Sequence, residues 1–263
     1  MTAPVVLFTR SWEGPDPSRP PVVILHGLLG SSRNWFSAAP LLATGGPVFA
    51  VDLRNHGESP HTDLHDYAAM MADLEALRQR MGWDAFHLIG HSMGGKVAMR
   101  YACTYPEYVQ SLTVVDIAAA DHQPYHAREV EALVQLDLPS LKDRRQADER
   151  LAETITDWAM RQFLLTNLKR EGQGWAWIVN LPVIRDALPG LARNSLVPED
   201  AYDGPMLLLL GERSSFVRPV EARAMRTFFP RQKTVIIPRA GHNIHFEEKE
   251  AFADAWTAFR DAP

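Results

Sequence analysis

A chain of 263 residues with 46% hydrophobic and 22% charged side chains has a folded globular composition, outside the ranges of disordered, collagen-like or membrane-embedded proteins. Its net charge of -5, with no basic run, disfavours nucleic acid and anionic membrane as partners, because both reward clustered Lys and Arg. The single cysteine, Cys103, forbids an internal disulfide and suits a reducing compartment; the opening stretch MTAPVVLFTRSWEG has neither a long apolar segment nor an Arg-rich amphipathic pattern, so a cytoplasmic location is expected.

Along the chain, short apolar runs alternate with segments of helical period. VVILHG (22–27) and VFAVDL (48–53) come first. Tyr67, Met70, Met71, Leu74, Leu77 and Met81 then recur at helical spacing, with Gly82 behind them as a stop signal. FHLIG (86–90), LTVVDI (112–117), MLLLLG (206–211) and TVIIP (234–238) complete the runs, and Phe252, Trp256 and Phe259 stripe a final helix. Such alternation predicts an α/β fold with a mostly parallel central sheet flanked by helices. One connection breaks the rhythm. Residues 120–200, between LTVVDI and MLLLLG, are far longer than an ordinary loop and predict an insertion with structure of its own. Its segments REVEALVQL, DERLAETI and DWAMRQFLLTNL are helical in pattern, and Pro139, Gly172, Gly174, Pro182 and Pro189 punctuate them.

The third run ends in GHSMGG (90–95), which fits G-x-S-x-G on a strand-to-helix turn. That turn strains Ser92 and lifts its hydroxyl clear of the sheet, and small residues at 90 and 94 let strand and helix pass closely. A chance match would sit in a loop, whereas FHLIG and KVAMRYACTY supply the strand and helix that the motif needs. A serine hydroxyl needs a base to take its proton. Among ten histidines, His242 in RAGHNIHFEE lies just past the strand TVIIP, at the sheet edge expected for Ser92; His245 is the rival, and Gly241 favours His242 by freeing the turn. His26, in HGLLG, reads as structural.

With HGLLG, GHSMGG and GHNIH in this order over nearly the whole chain, the sequence resembles the α/β-hydrolase superfamily. The resemblance implies that the backbone N–H groups of Leu28 and Met93 form an oxyanion hole. It also implies that residues 120–200 are a helical cap on a core made of 1–119 and 201–263. In many members the triad acid follows the strand after the cap, in G-x-x-D-x-x-V; here that spacing, from Gly211 to Val217, delivers Ser214. Glu212 stands too close to the strand end to reach His242. Asp116, closing LTVVD at the same sheet edge, is the candidate acid, the alternative being that it only caps the next turn. DLRNHGESP (52–60), GHSMGGK, VVDIAAAD, RQFLLTNL (161–168) and GERSSFV together look like the bacterial YbfF-type esterases and their mitochondrial relatives, whose acid maps onto Asp116. The sequence departs from those relatives at Asn243, where they carry tryptophan.

The expected chemistry is hydrolysis of a small-molecule carboxylic ester of short or medium acyl chain, with no metal or organic cofactor. Trp158, Phe163, Leu164, Leu165, Trp175, Trp177 and Ile178 offer an apolar surface, part of which is expected to face Ser92 and the rest to glue cap to core. The cluster His61, Asp63, His65 and Asp66 reads as a surface loop rather than a metal site. A thioesterase is the alternative. A non-catalytic homologue that keeps the fold is the third reading, disfavoured by a complete set of triad candidates.

Overall fold

The computed structural model describes residues 3–262. The strands are β1 (Thr9–Trp12), β2 (Val22–Leu25), β3 (Val48–Val51), β4 (Phe86–His91), β5 (Val109–Val115), β6 (Leu168–Glu171), β7 (Gly174–Trp177), β8 (Met206–Gly211) and β9 (Gln232–Ile237). The helices are α1 (Ala39–Leu42), α2 (Tyr67–Met81), α3 (Met93–Thr104), α4 (Ala127–Gln135), α5 (Arg144–Ala152), α6 (Trp158–Leu165), α7 (Leu181–Leu191), α8 (Pro219–Ala224), α9 (Ile244–Glu247) and α10 (Lys249–Arg260).

Seven strands form one sheet in the order β1-β3-β2-β4-β5-β8-β9. Only β1 runs antiparallel, against β3; the other pairings are parallel. The leucine run of β8 shows how this sheet is buried. Successive side chains of a strand point to opposite faces, so Leu208 joins the apolar cluster under α2 and α3, while Leu207 and Leu209 join the one under α1 and α10. Because helices cover both faces, the strand is apolar on both, which is why it reads as a continuous run.

The helix expected from Tyr67 ends where its stop signal stands: Gly82 adopts the left-handed conformation (φ 66°) and closes α2. Asp66 caps its start by accepting from Ala69 N. Trp256 and Phe252 of α10 are fully buried, as their stripe predicts.

Residues 120–200 gather a third apolar cluster of their own, built around Val130, Leu133, Leu151, Leu164, Ile184 and Leu188, into which Leu29 of the turn after β2 inserts. This segment is not wholly helical. β6 and β7 pair as an antiparallel hairpin where the sequence suggested a helix tail and punctuation, because Gly172 (φ 58°) turns the chain back on itself. No helix among the described residues is long and apolar enough to cross a membrane.

Candidate active site

The loops that follow β2, β4, β5, β8 and β9 meet at the C-terminal edge of the sheet, where open α/β sheets bind their ligands. Register places them. His91 pairs with Val115, Val115 with Leu209, and Gly211 with Ile237, so the residues just beyond these positions share one rim.

Ser92 sits between β4 and α3 with φ 51° and ψ -119°, a conformation that costs a non-glycine residue of order 1–3 kcal/mol. Its amide is anchored to Val115 O at 3.0 Å. The two flanking glycines are required by contact: a Cβ on Gly90 would run into the Gly94 carbonyl, and one on Gly94 into the carbonyls of Leu25 and His26. Ser92 Oγ makes no hydrogen bond to His242 among the described residues; in ligand-free sites this bond often tightens only when substrate arrives.

Asp116 leaves β5 in the left-handed region (φ 53°), which turns its carboxylate toward the neighbouring strand's loop. His242 Nδ1 donates to Asp116 Oδ2 at 2.7 Å, with Asp116 1% and His242 16% exposed. Ser214 Oγ also donates to Oδ2, and Gly211 N donates to Oδ1 at 3.2 Å. Glu212 is turned elsewhere, accepting from Arg239 N at 2.9 Å. His245 does not compete for the acid either. It is 3% exposed and lies flat on Trp35, ring centroids 4.0 Å apart, and burial pushes its pKa down to about 3.

Several residues that hold His242 were not singled out by sequence. Phe216 stacks on its ring at 3.6 Å and 12°. His91, buried and therefore held well below its ordinary pKa, donates from Nε2 to the His242 carbonyl at 3.0 Å. Glu247 accepts from the amides on either side, Gly241 N at 2.7 Å and Asn243 N at 3.1 Å. All three lie within motif segments, Phe216 in GERSSFV, His91 in GHSMGG and Glu247 in RAGHNIHFEE; Glu247 acts locally, whereas the contacts of Phe216 and His91 with His242 arise from the packing of distant loops.

The amides of Leu28 and Met93 make no hydrogen bond to a protein acceptor among the described residues, and both residues line a solvent-open cleft that Ser92 also lines. The lining also includes Leu188, Leu191 and Ala192 of α7 and its end, together with Tyr125 and His126. This corrects the expectation for the aromatic and aliphatic residues of the insertion. None of Trp158, Phe163, Leu164, Leu165, Trp175, Trp177 and Ile178 lines this cleft. Leu164 and Leu165 are buried in the third cluster, Phe163, Trp175, Trp177 and Ile178 pack against it, and Trp158 is 65% exposed.

Lys96, one turn into α3, also reaches the cleft but is 1% exposed. Its Nζ donates to the carbonyls of Ala120 (3.0 Å), Ala192 (3.5 Å) and Arg193 (2.6 Å), which are the two ends of the inserted segment. Three acceptors saturate the ammonium, and burial lowers its pKa to about 8.

His26 is structural as expected: buried, with Nδ1 donating to Gly27 O at 2.8 Å and Nε2 accepting from Leu53 N at 3.0 Å. The HTDLHD segment departs from a simple surface loop, because His65 turns inward (4% exposed) and Asp66 caps α2.

Comparison with known proteins agrees with this architecture. The family model described as alpha/beta hydrolase fold matches residues 20–249. The chain is 37% identical to the mouse (Mus musculus) sn-1-specific diacylglycerol lipase ABHD11 over 252 residues, 93% of this chain and 82% of that protein. It is 31% identical to Esterase YbfF of Escherichia coli over 232 residues, 88% of this chain and 89% of that protein. A solved marine microorganism esterase superposes with a TM-score of 0.93 at 32% identity, covering 97% of this chain and 99% of that one. With the family model matching residues 20–249 and relatives more than 30% identical over most of their own length, the chain belongs to the α/β-hydrolase fold family.

Proposed function

We propose that the protein is a serine carboxylesterase acting on small-molecule esters of short or medium acyl chain, with Ser92 as nucleophile, His242 as base and Asp116 as acid. In this reading residues 1–119 and 201–263 are the catalytic core and 120–200 its cap, and the location is cytoplasmic. The observation that carries it is the 2.7 Å contact from His242 Nδ1 to Asp116 Oδ2, on the same rim as the strained Ser92.

The chemistry follows from that contact. Asp116 accepts a hydrogen bond from Nδ1–H and holds the ring in that tautomer, so the lone pair on Nε2 is left to take the proton from Ser92 Oγ. Oγ then attacks the ester carbonyl carbon, and the carbonyl oxygen becomes an anion facing the amides of Leu28 and Met93. Collapse expels the alcohol, which receives the proton from His242, and an acyl-serine remains. Water repeats the sequence and releases the acid. The two amides have no protein acceptor to give up, and one such donor contributes about 3–4 kcal/mol to the transition state in a comparable site.

The cleft wall at Leu188, Leu191 and Ile117 is apolar and suits an acyl chain. A panel of p-nitrophenyl esters of increasing acyl length, run beside matched acyl-CoA thioesters and a diacylglycerol, tests the proposal; the diacylglycerol is included because the mouse relative is named a diacylglycerol lipase. Turnover of short and medium esters is expected. A large kcat/KM advantage for the CoA substrates would make the protein a thioesterase, and no turnover of any would leave it a binding protein.

A further inference from the structure

The turn that presents Leu28 adopts a conformation its own sequence does not favour. Gly30 N donates to Gly27 O at 3.0 Å, closing four residues in which Leu29 stands third with φ 60°. A turn with positive φ at that position ordinarily carries glycine, because a Cβ crowds the neighbouring carbonyl. Here a leucine holds it, its side chain 1% exposed and buried among the apolar residues of the 120–200 segment. A strained residue of this kind persists only where its surroundings over-determine it.

Two buried side chains grip the backbone of Leu29 from opposite sides. His56 Nε2 accepts from Leu29 N at 3.2 Å, and Asn167 Nδ2 donates to Leu29 O at 2.8 Å. The residues are 0% and 2% exposed. The His56 ring can only be the tautomer with hydrogen on Nδ1, since that atom donates to Arg54 O at 3.0 Å, and burial keeps the ring neutral. Neither side chain enters the triad chemistry, yet they come from the segments DLRNHGESP and RQFLLTNL, one in the core and one in the insertion.

We propose that His56 and Asn167 are positioning residues that fix the two peptides flanking Leu29, His56 through the Leu29 N–H and Asn167 through the Leu29 carbonyl, next to the Gly27–Leu28 peptide that carries the Leu28 N–H, and that Asn167 makes the geometry of that amide depend on how residues 120–200 are seated. This rests on the reading of Leu28 as an oxyanion donor. It gives the inserted segment a part in the chemical step, in addition to walling the cleft.

The experiment compares Asn167→Ala with Asn180→Ala. Asn180 ties the same segment to the core through Asn55 Oδ1 (3.1 Å) and Thr62 O (3.2 Å), without touching the turn. With a p-nitrophenyl ester, Asn167→Ala is expected to lower kcat by about 10-fold or more while KM stays within about threefold, as loss of oxyanion alignment requires. Binding of an alkyl trifluoromethyl ketone, to whose carbonyl carbon Ser92 Oγ adds as His242 takes the proton, should weaken by a similar factor. Asn180→Ala should raise KM and leave kcat within about twofold. His56→Asn should follow Asn167→Ala. If Asn167→Ala does not fold, Asn167→Leu keeps the shape and removes the donor. Equal effects of the Asn167 and Asn180 substitutions, or a kcat loss with unchanged ketone affinity, overturn the proposal. Failure of the unsubstituted protein to hydrolyse any ester would instead overturn the esterase reading.

Discussion

Ser214 donates its hydroxyl to Asp116 Oδ2, the same carboxylate oxygen that His242 Nδ1 reaches. The position at which many α/β hydrolases place their acid is thus occupied by a serine that hydrogen-bonds the proposed acid, Asp116, just past the end of β5. Ser214 Oγ and His242 Nδ1 share one carboxylate oxygen, so a carboxylate moved to residue 214 should be able to serve the imidazole. Asp116→Asn is expected to lower kcat by about 10⁴, as loss of a triad acid does elsewhere. Asp116→Asn combined with Ser214→Asp should regain at least about tenfold of that loss. Steady-state kinetics on one ester decide it, and no recovery in the double variant would mean that residue 214 cannot reach the ring.

Ser92→Ala should abolish ester hydrolysis, since no other nucleophile is expected to replace its hydroxyl. Glu212→Gln should leave kcat within about twofold, because its carboxylate serves the Arg239 amide rather than His242. Equal losses at Glu212 and Asp116 in the same assay would put the acid in the wrong place.

His245 gives the fold an acid sensitivity. Its folded pKa of about 3 lies below the value near 6.5 of an exposed imidazole, so the unfolded chain takes the proton first. Its contribution to stability is therefore complete above about pH 6.5 and is lost as the pH falls from there toward 3. His245→Phe can keep the stack on Trp35 and cannot titrate. Urea midpoints measured between pH 6.5 and 4 should fall less steeply in this variant, by the equivalent of one proton.

Lys96 has the same sign of charge change in a different window. Its pKa falls from 10.5 unfolded to about 8 folded, so the unfolded chain holds its proton longer and stability rises with pH between those values. Lys96→Met removes that dependence and leaves the carbonyls of Ala120, Ala192 and Arg193 without the ammonium. The stability of the unsubstituted protein relative to this variant, measured in urea, should therefore increase from pH 8 to 10.

Long periodic elements were legible in the sequence. The Tyr67–Met81 helix and the buried strands announce themselves because the pattern of apolar residues is imposed locally by helix or strand geometry. β1 escaped because Thr9–Trp12 is a short, half-buried edge strand with no apolar run. α7 escaped because it contains Pro182 and Pro189, read as breaks. Pro182 stands in the first turn, where a missing N–H costs nothing, and Pro189 falls near the end of the helix.

By itself the sequence determined which chemistry could be carried: a serine on a strained glycine-flanked turn, a histidine after the last strand and an aspartate closing β5. Those are properties of short segments, written in residue type and spacing. Tertiary structure alone decided which side chains meet, because contacts such as His242 with Phe216, Lys96 with both ends of the insertion, and Asn167 with Leu29 join residues far apart in the chain. It also turned the aromatic residues of the insertion into that segment's own core and left α7 to wall the cleft. An apolar side chain is equally content in a core or at a pocket, and only the packing of the neighbouring elements selects between them.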